Sequence, residues 1–170
     1  MRRGITKKQT YDLIKKLRTG IPELTLRTTF IVGYPNETEK EFNELCEFIK
    51  DSQFDRVGTF DYSQEENTVS YQMGDTVSHV EKVERKDKIM ELQMEVSLKK
   101  NSELKGKKLK VLVEGVEGDF YIGRSYRDAP EVDGEVLIPA KNKELKIGEF
   151  YLSEVYDYNE YDLFADVVEK

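Results

Sequence analysis

Residues 24–38 of the chain read LTLRTTFIVGYPNET, and this stretch decides the fold of the first half. Residues 24–32 are rich in β-branched and aromatic side chains and nearly continuous in apolar or threonine character, which predicts a buried β-strand. The turn residues Gly33, Tyr34, Pro35 and Asn36 end that strand. Thr38 and Glu41 form a capping box just beyond it. A helix is therefore predicted to begin directly after the turn.

The flanking sequence continues the alternation of helix and strand. Thr6 and Gln9 form an earlier capping box, which predicts a first helix that ends near Gly20. Residues 56–62 predict a second strand. The order helix, strand, helix, strand is typical of a parallel sheet or barrel with helices outside it. Because two strands cannot close a barrel, we expect the C-terminal part of a larger enzyme, with a small complete α+β domain as the alternative.

A long helix follows. Ser78 and Glu81 form a third capping box, and the apolar spacing continues to about Leu104. One apolar stripe of this helix consists of Val83, Met90, Met94 and Leu98, and Ile89, Leu92 and Val96 lie beside it. We therefore expect three regions: residues 1–77 as the α/β part, 78–104 as a connecting helix, and 105–170 as a second domain.

The pattern changes to short strands after residue 105. They are predicted at residues 107–114, 120–124, 134–139, 150–156 and 163–168, with turn signals between them. Five short strands of this kind are typical of a small antiparallel OB-like barrel, a shape often used to bind polymers. The predicted fold class is therefore α/β plus all-β.

Composition and charge narrow the class of protein. The 170 residues carry a net charge of −7, and residues 105–170 hold 15 Asp and Glu against 10 Lys and Arg. No apolar run is long enough to span a bilayer, so no membrane association is expected. Cys46 is the single cysteine, which allows no internal disulfide and fits a reducing cytoplasm. A cytoplasmic protein is predicted.

Residues 124–134, which read RSYRDAPEVDG, place three acids around a proline, and we call them the acidic turn. Three carboxylates flank Pro130 and must lie at the surface, because burying them together would carry a large desolvation penalty. Fixed negative charge suits a basic partner and repels a phosphate backbone. A later series of aromatic residues has acids on either side, which favours a barrel core with an acidic rim over stacking platforms for bases. Its members are Tyr151, Tyr156, Tyr158, Tyr161 and Phe164.

These stretches carry a resemblance to a known family. Residues 1–6, 26–38 and 54–63 resemble the later part of a radical S-adenosylmethionine β/α barrel, and more narrowly that of the methylthiotransferases. Residues 105–170 resemble a TRAM domain. The run from Arg124 to Gly134 is similar to the RimO branch of that family rather than to its tRNA-modifying branch. One departure is Asn36, which stands where the family usually has glycine, and asparagine tolerates the same left-handed turn.

The resemblance implies a reaction. Enzymes of this branch add a methylthio group to the β-carbon of one aspartate in small-subunit ribosomal protein twelve. The full-length enzymes use S-adenosylmethionine and two 4Fe-4S clusters, which need cysteine thiolates as ligands. Cys46 falls on an apolar helical stripe and is predicted to be a packed thiol. We therefore expect this chain to hold no cluster, no metal ligand and no catalytic residue, and to be inactive alone.

The resemblance and the strand positions together suggest two groups of binding residues. Residues at the carboxyl ends of barrel strands, with one N-terminal arginine, are expected at the S-adenosylmethionine pocket; they are Arg3, Gly33, Tyr34, Pro35, Glu37, Tyr62 and Ser63. Residues of the acidic turn are expected to dock the ribosomal protein; they are Arg124, Arg127, Asp128, Glu131 and Asp133. Two alternatives stay open: part of a tRNA methylthiotransferase, or a stand-alone RNA-binding TRAM module.

Overall fold

The computed structural model describes residues 4–130, 132–141 and 144–169. The chain divides into two compact units, residues 1–96 and 97–170. No helix in these described ranges is long and apolar enough to cross a bilayer.

The first unit alternates helix and strand, as the sequence predicts. Its elements are α1 (Lys7–Gly20), β1 (Arg27–Val32), α2 (Glu39–Ser52), β2 (Arg56–Asp61), a 3₁₀ turn (Val69–Met73) and the larger part of α3 (His79–Ser102). The capping boxes of Thr6 with Gln9 and of Thr38 with Glu41 are both formed. At α3, Ser78 Oγ accepts the Glu81 N–H at 3.2 Å. Local capping chemistry therefore sets where the helices begin.

The two strands of this unit lie parallel and in register, from Arg27 opposite Arg56 to Val32 opposite Asp61. One face of the pair packs on a buried cluster, whose members are Val32, Phe42, Cys46, Ile49, Phe54, Val57, Ile89 and Leu92. On the other face, Ile31 and Phe60 lie opposite each other and are 40% and 63% exposed. The described strands form a pair, so their assignment to a larger β/α barrel stays a prediction.

Helix α3 buries one of its two apolar stripes. Met90, Met94 and Leu98 are exposed, whereas Ile89, Leu92 and Val96 are buried. The buried face also carries polar side chains, namely Lys82, Arg85, Gln93, Ser97 and Asn101. Apolar spacing alone does not show which stripe faces inward, because the buried one begins with two cations.

The second unit is a closed five-stranded barrel. Its strands are β3 (Lys108–Glu117), β4 (Phe120–Arg124), β5 (Val136–Pro139), β6 (Phe150–Tyr158) and β7 (Leu163–Glu169), in the order β3-β4-β5-β7-β6. The five-stranded OB-like barrel is confirmed, but it is not wholly antiparallel. β5 and β7 pair in parallel, with Val136 opposite Leu163. A closed ring with an odd number of strands cannot alternate in direction all the way round, so one parallel pair is required.

The barrel core is built mainly from alternate residues of β3, β5, β6 and β7, as the pleat demands, with Leu104 preceding the first strand. Its buried members are Leu104, Leu109, Val111, Val113, Val136, Ile138, Tyr151, Val155, Leu163 and Ala165. Of the aromatic series predicted as core, Tyr151 is buried and Tyr158 packs against it. Tyr156 and Tyr161 are exposed, and Phe164 lies between the inward residues Leu163 and Ala165 and so faces outward. The core prediction is wrong for these three.

Candidate functional site

A cleft of about 500 Å³ opens where β1 and β2 end. Because the strands are parallel and in register, the residues that follow them meet at one edge of the sheet: the Tyr62 N–H donates to the Val32 carbonyl at 2.8 Å. The rings of Tyr34 and Tyr62 pack edge to face with centroids 5.4 Å apart. The cleft is lined by Ile31, Tyr34, Asp61, Tyr62, Ser63, Glu65, Thr68, Val69 and Ser70. Three predicted site residues, Tyr34, Tyr62 and Ser63, therefore line one cleft.

The hydroxyl of Tyr62 is the most unusual polar group in the lining. The side chain is 7% exposed, and its hydroxyl has no hydrogen-bond partner among the described residues. An unsatisfied buried hydroxyl costs about 1–3 kcal/mol. A ligand in the cleft that offered a polar atom to this hydroxyl would recover part of that loss.

Gly33 and Pro35 are buried and shape the turn rather than line the cleft. Gly33 has φ +70°, and a Cβ added there would lie 2.4 Å from Cγ of Lys82. The next turn position, Asn36, has φ +65°, and its N–H donates to Thr76 Oγ1 at 2.7 Å. Asparagine therefore adopts the left-handed conformation that the family's glycine would take.

The carboxylate of Glu37 is already engaged within the turn. Its Oε1 accepts the Gly33 N–H at 3.1 Å and Nη1 of Arg85 at 2.6 Å. Arg85 also donates to the Glu37 carbonyl at 3.2 Å, and its side chain is only 4% exposed. Glu37 is thus held behind the turn by a buried cation and does not line the cleft.

Lys82 is the second buried cation of α3 that contacts this region. Its Nζ donates to the Tyr62 carbonyl at 2.9 Å and to Asp75 Oδ2 at 2.6 Å, and it lies 5.4 Å from the centre of the Tyr62 ring. Neither cation was predicted from the sequence. The sequence does contain a pattern that indicates their burial. Residues 82, 85, 89 and 92 follow one another at helical spacing, so the two cations share a helix face with the apolar residues Ile89 and Leu92.

Two further sequence expectations concern the clusters and the N-terminus. Arg3 lies outside the described residues. Cys46 is a buried member of the first unit's core, and burial raises the pKa of its thiol. Within the described ranges, no three His, Cys, Asp or Glu side chains are grouped so as to hold a metal. The residues of this chain therefore do not fit a 4Fe-4S cluster, which needs several thiolates.

In the second unit, the acidic turn uses its carboxylates on its own backbone. Asp128 Oδ2 accepts the Ser125 hydroxyl at 2.7 Å and the Ser125 N–H at 3.2 Å. Asp133 Oδ2 accepts the Ala129 N–H at 2.8 Å. Both carboxylates thus stabilise the turn, and Glu131 lies outside the described residues. Arg127 also belongs to this turn, where its N–H donates to Ser125 Oγ at 3.2 Å.

A smaller cleft of about 200 Å³ lies beside this turn. Arg124 lines it and pairs through Nε with Glu114 Oε1 at 2.7 Å. Glu135, also in the lining, has its pKa raised by desolvation and by neighbouring carboxylates, first among them Asp162. Gly134 packs against the chain so closely that an added Cβ would lie 1.8 Å from the Tyr161 carbonyl oxygen. The structure brings Arg124 and Asp133 together in this cleft, but not Arg127 or Asp128.

Comparisons with known proteins bear on both units. A family model of the TRAM domain matches residues 106–168. The chain is also similar to proteins named ribosomal protein uS12 methylthiotransferase RimO. The one from Cytophaga hutchinsonii is 46% identical over 99% of this chain and 38% of its own length. The one from Chloroherpeton thalassium is 46% identical over 99% and 39%, and the one from Thermoanaerobacter sp. is 45% identical over 98% and 38%.

The chain thus spans about two fifths of the length of these relatives. The similarity extends across both units, and the TRAM match coincides with the closed barrel. The resemblance drawn from the residues agrees with both comparisons: residues 106–168 match a TRAM domain model, and nearly the whole chain is similar to proteins named RimO.

Proposed function

We propose that this chain is the C-terminal part of an enzyme that adds a methylthio group to the β-carbon of an aspartate in ribosomal protein uS12, by radical S-adenosylmethionine chemistry in the cytoplasm. The observation that carries the proposal is 46% identity over 99% of the chain to a protein named ribosomal protein uS12 methylthiotransferase. In this proposal the first unit contributes to the cofactor pocket and the TRAM barrel docks the substrate.

The cleft at the ends of β1 and β2 fits an S-adenosylmethionine pocket. Its volume of about 500 Å³ lies within the range of small-molecule sites. The Tyr34 ring offers an aromatic surface, Ser63 offers a hydroxyl, and Tyr62 brings a buried hydroxyl that has no hydrogen-bond partner among the described residues. When bound, the cofactor would supply the radical that abstracts hydrogen from the substrate.

The remaining residues of the first group have supporting roles in this proposal. Gly33, Pro35 and Glu37 shape the turn from which Tyr34 projects, with Arg85 holding the Glu37 carboxylate. Arg3 would pair with a carboxylate of the cofactor or the substrate, since a guanidinium suits that group. The two 4Fe-4S clusters would belong to the rest of the protein, because Cys46 is a packed thiol.

The TRAM barrel is proposed to dock uS12 through negative potential. The acidic turn contributes Asp128, Glu131 and Asp133, and the first and third of these also hold its shape. Arg124 and Arg127 flank the same turn. An excess of acids over bases in residues 105–170 disfavours tRNA, whose phosphates such a surface repels.

The catalytic proposal is tested in cells. Deleting the gene should remove the methylthio group from the uS12 aspartate, as read by tandem mass spectrometry of the purified ribosomal protein, and the intact gene should restore it. In the full-length enzyme, Tyr62→Phe should weaken S-adenosylmethionine binding about tenfold, as expected for one lost hydrogen bond. Tyr11→Phe is the matched control, because that hydroxyl bonds Asp51 at 3.2 Å and does not line the cleft. A uS12 that remains methylthiolated in the deletion strain would exclude the function.

The docking proposal is tested by comparing two ligands. The affinity of the chain for purified uS12 and for tRNA is measured by calorimetry at several salt concentrations. Tighter binding of uS12 supports a protein substrate. Tighter binding of tRNA at every salt concentration would instead support the tRNA-modifying alternative. A steep salt dependence alone decides nothing, because both ligands are charged.

A further inference from the structure

The outer surface of the barrel carries three aromatic side chains, Phe120, Tyr156 and Phe164, which we call the aromatic face. Neighbours in sequence show which way they point. Leu163 and Ala165 are buried in the core, so Phe164 between them faces outward. Tyr156 follows the buried Val155 and is 42% exposed. The three residues of the aromatic face lie outside the acidic turn in sequence.

The three rings form one continuous group. The Phe120 and Phe164 centroids are 6.3 Å apart at 69°, and those of Tyr156 and Phe164 are 6.4 Å apart at 45°. Strand register adds apolar neighbours, because Leu137 pairs with Phe164 on one side and with Ile122 on the other. The result is an apolar surface across four strands of the barrel.

A β-bulge aims Tyr156 at this surface. On β7, Ala165 pairs with Val155 and Phe164 pairs with Asp157, so Tyr156 is the additional residue of β6. A bulge of this kind interrupts the ladder and redirects a side chain. Here it places a tyrosine ring beside Phe164.

Carboxylates surround the aromatic face. Glu154 lies opposite Asp166 on β7 and opposite Lys108 on β3. Asp157 lies opposite Phe164 and pairs with Lys105 at 4.0 Å, with both side chains more than half exposed. The pKa of Tyr156 is raised first by burial and then by the negative charges of Asp166 and Asp157. Both carboxylates therefore interact electrostatically with this side chain. The face therefore combines π surfaces with negative charge.

We propose that the aromatic face binds an arginine-bearing segment of a basic protein, with guanidinium groups stacked on Tyr156 and Phe164 and paired with Asp157, Asp166 and Glu154. Guanidinium is the cation that joins both properties, since it stacks on aromatic rings and forks onto carboxylates. Single-stranded RNA also stacks on exposed rings, but its phosphates would meet these acids. The inference rests on the proposed docking role of the barrel and specifies where docking occurs.

The test removes the π surfaces and keeps the apolar volume. The double variant Tyr156→Leu, Phe164→Leu is compared with the unaltered chain in calorimetric titrations with purified uS12. The matched control is Phe150→Leu, an exposed ring on the same barrel that already has Lys110 Nζ 4.7 Å from its centre. We expect the double variant to bind at least tenfold more weakly and the control to bind within twofold of the unaltered chain. Far-UV circular dichroism confirms that each variant is folded.

Two peptide probes separate this inference from the proposed function. One is an acetylated heptapeptide of alternating glycine and arginine, and the other has lysine in place of arginine. The arginine peptide should bind at least threefold more tightly, and Asp157→Asn with Asp166→Asn should remove that preference. If uS12 binds and the double leucine variant binds it equally well, the inference is wrong while the docking role stands. If uS12 fails to bind but the arginine peptide still needs the aromatic rings, the proposed docking of uS12 fails, while the aromatic face remains an arginine-binding surface. Tighter binding of oligouridine that depends on the rings overturns the inference in favour of RNA.

Discussion

Replacing Gly33 by alanine tests how the turn at residues 33–36 is held. The change forces an L-residue into φ +70° and places a Cβ 2.4 Å from Lys82 Cγ. The left-handed conformation alone costs about 1–2 kcal/mol. Moving the buried Lys82 breaks its bonds to the Tyr62 carbonyl and Asp75, which adds about 1.5–3 kcal/mol. The first unit should therefore lose about 2.5–5 kcal/mol.

The measurement is a double-mutant cycle with Lys82→Ala. Alanine at position 82 removes the Cγ atom, so Gly33→Ala should cost only the backbone part, about 1–2 kcal/mol, in that background. Urea unfolding followed by circular dichroism reports global stability, and hydrogen exchange of the Tyr62 N–H reports the turn itself. Because the chain has two units, exchange is the decisive readout. If Gly33→Ala lowered stability equally in the unaltered chain and in Lys82→Ala, the steric argument would be refuted.

Three further predictions concern single side chains. Gly134→Ala should destabilise the barrel by more than about 3 kcal/mol in urea unfolding, because the Tyr161 carbonyl occupies the space of the new methyl group; a loss below 1 kcal/mol would contradict that packing. Desolvation and carboxylates such as Asp162 raise the pKa of Glu135 in the folded protein. The ionised form of Glu135 therefore destabilises the fold above that pKa. Glu135→Gln should therefore stabilise the barrel at neutral pH, and the gain should vanish as pH falls below the ordinary carboxyl pKa; a pH-independent gain would exclude the electrostatic cause. The buried Cys46 should react with an aromatic disulfide reagent about a hundredfold more slowly in the folded protein than in urea, and equal rates would show that the core opens readily.

Local rules predicted the helix starts well. The capping boxes at Thr6 and Thr38 depend on side chains three residues apart, so the sequence alone contains all the chemistry involved. The positions of the barrel strands also followed from alternation and turn residues. The parallel pairing of β7 with β5 was not predicted, because antiparallel pairing was assumed between all neighbouring strands of the ring.

The candidate site was predictable only in part. Tyr34, Tyr62 and Ser63 were found because parallel strands bring their carboxyl ends together. The roles of Lys82 and Arg85 were missed, since a buried cation is recognisable only once its distant acceptors are known. The acidic turn was read as a surface for a partner, although acids beside turn residues often bond their own backbone, as Asp128 and Asp133 do.

The parallel pairing of β5 with β7 has a consequence for how the barrel folds. Hairpins such as β3–β4 join neighbours in the chain and form early, but closure requires Val136 to meet Leu163 and Lys108 to meet Glu154. Contacts between such distant residues slow folding, because a long loop loses entropy before any pairing energy is gained. A nascent chain that ends before Leu163 presents two unpaired strand edges, on β5 and on β6, which are templates for aggregation. Solubility of this domain during synthesis therefore depends on its last strand.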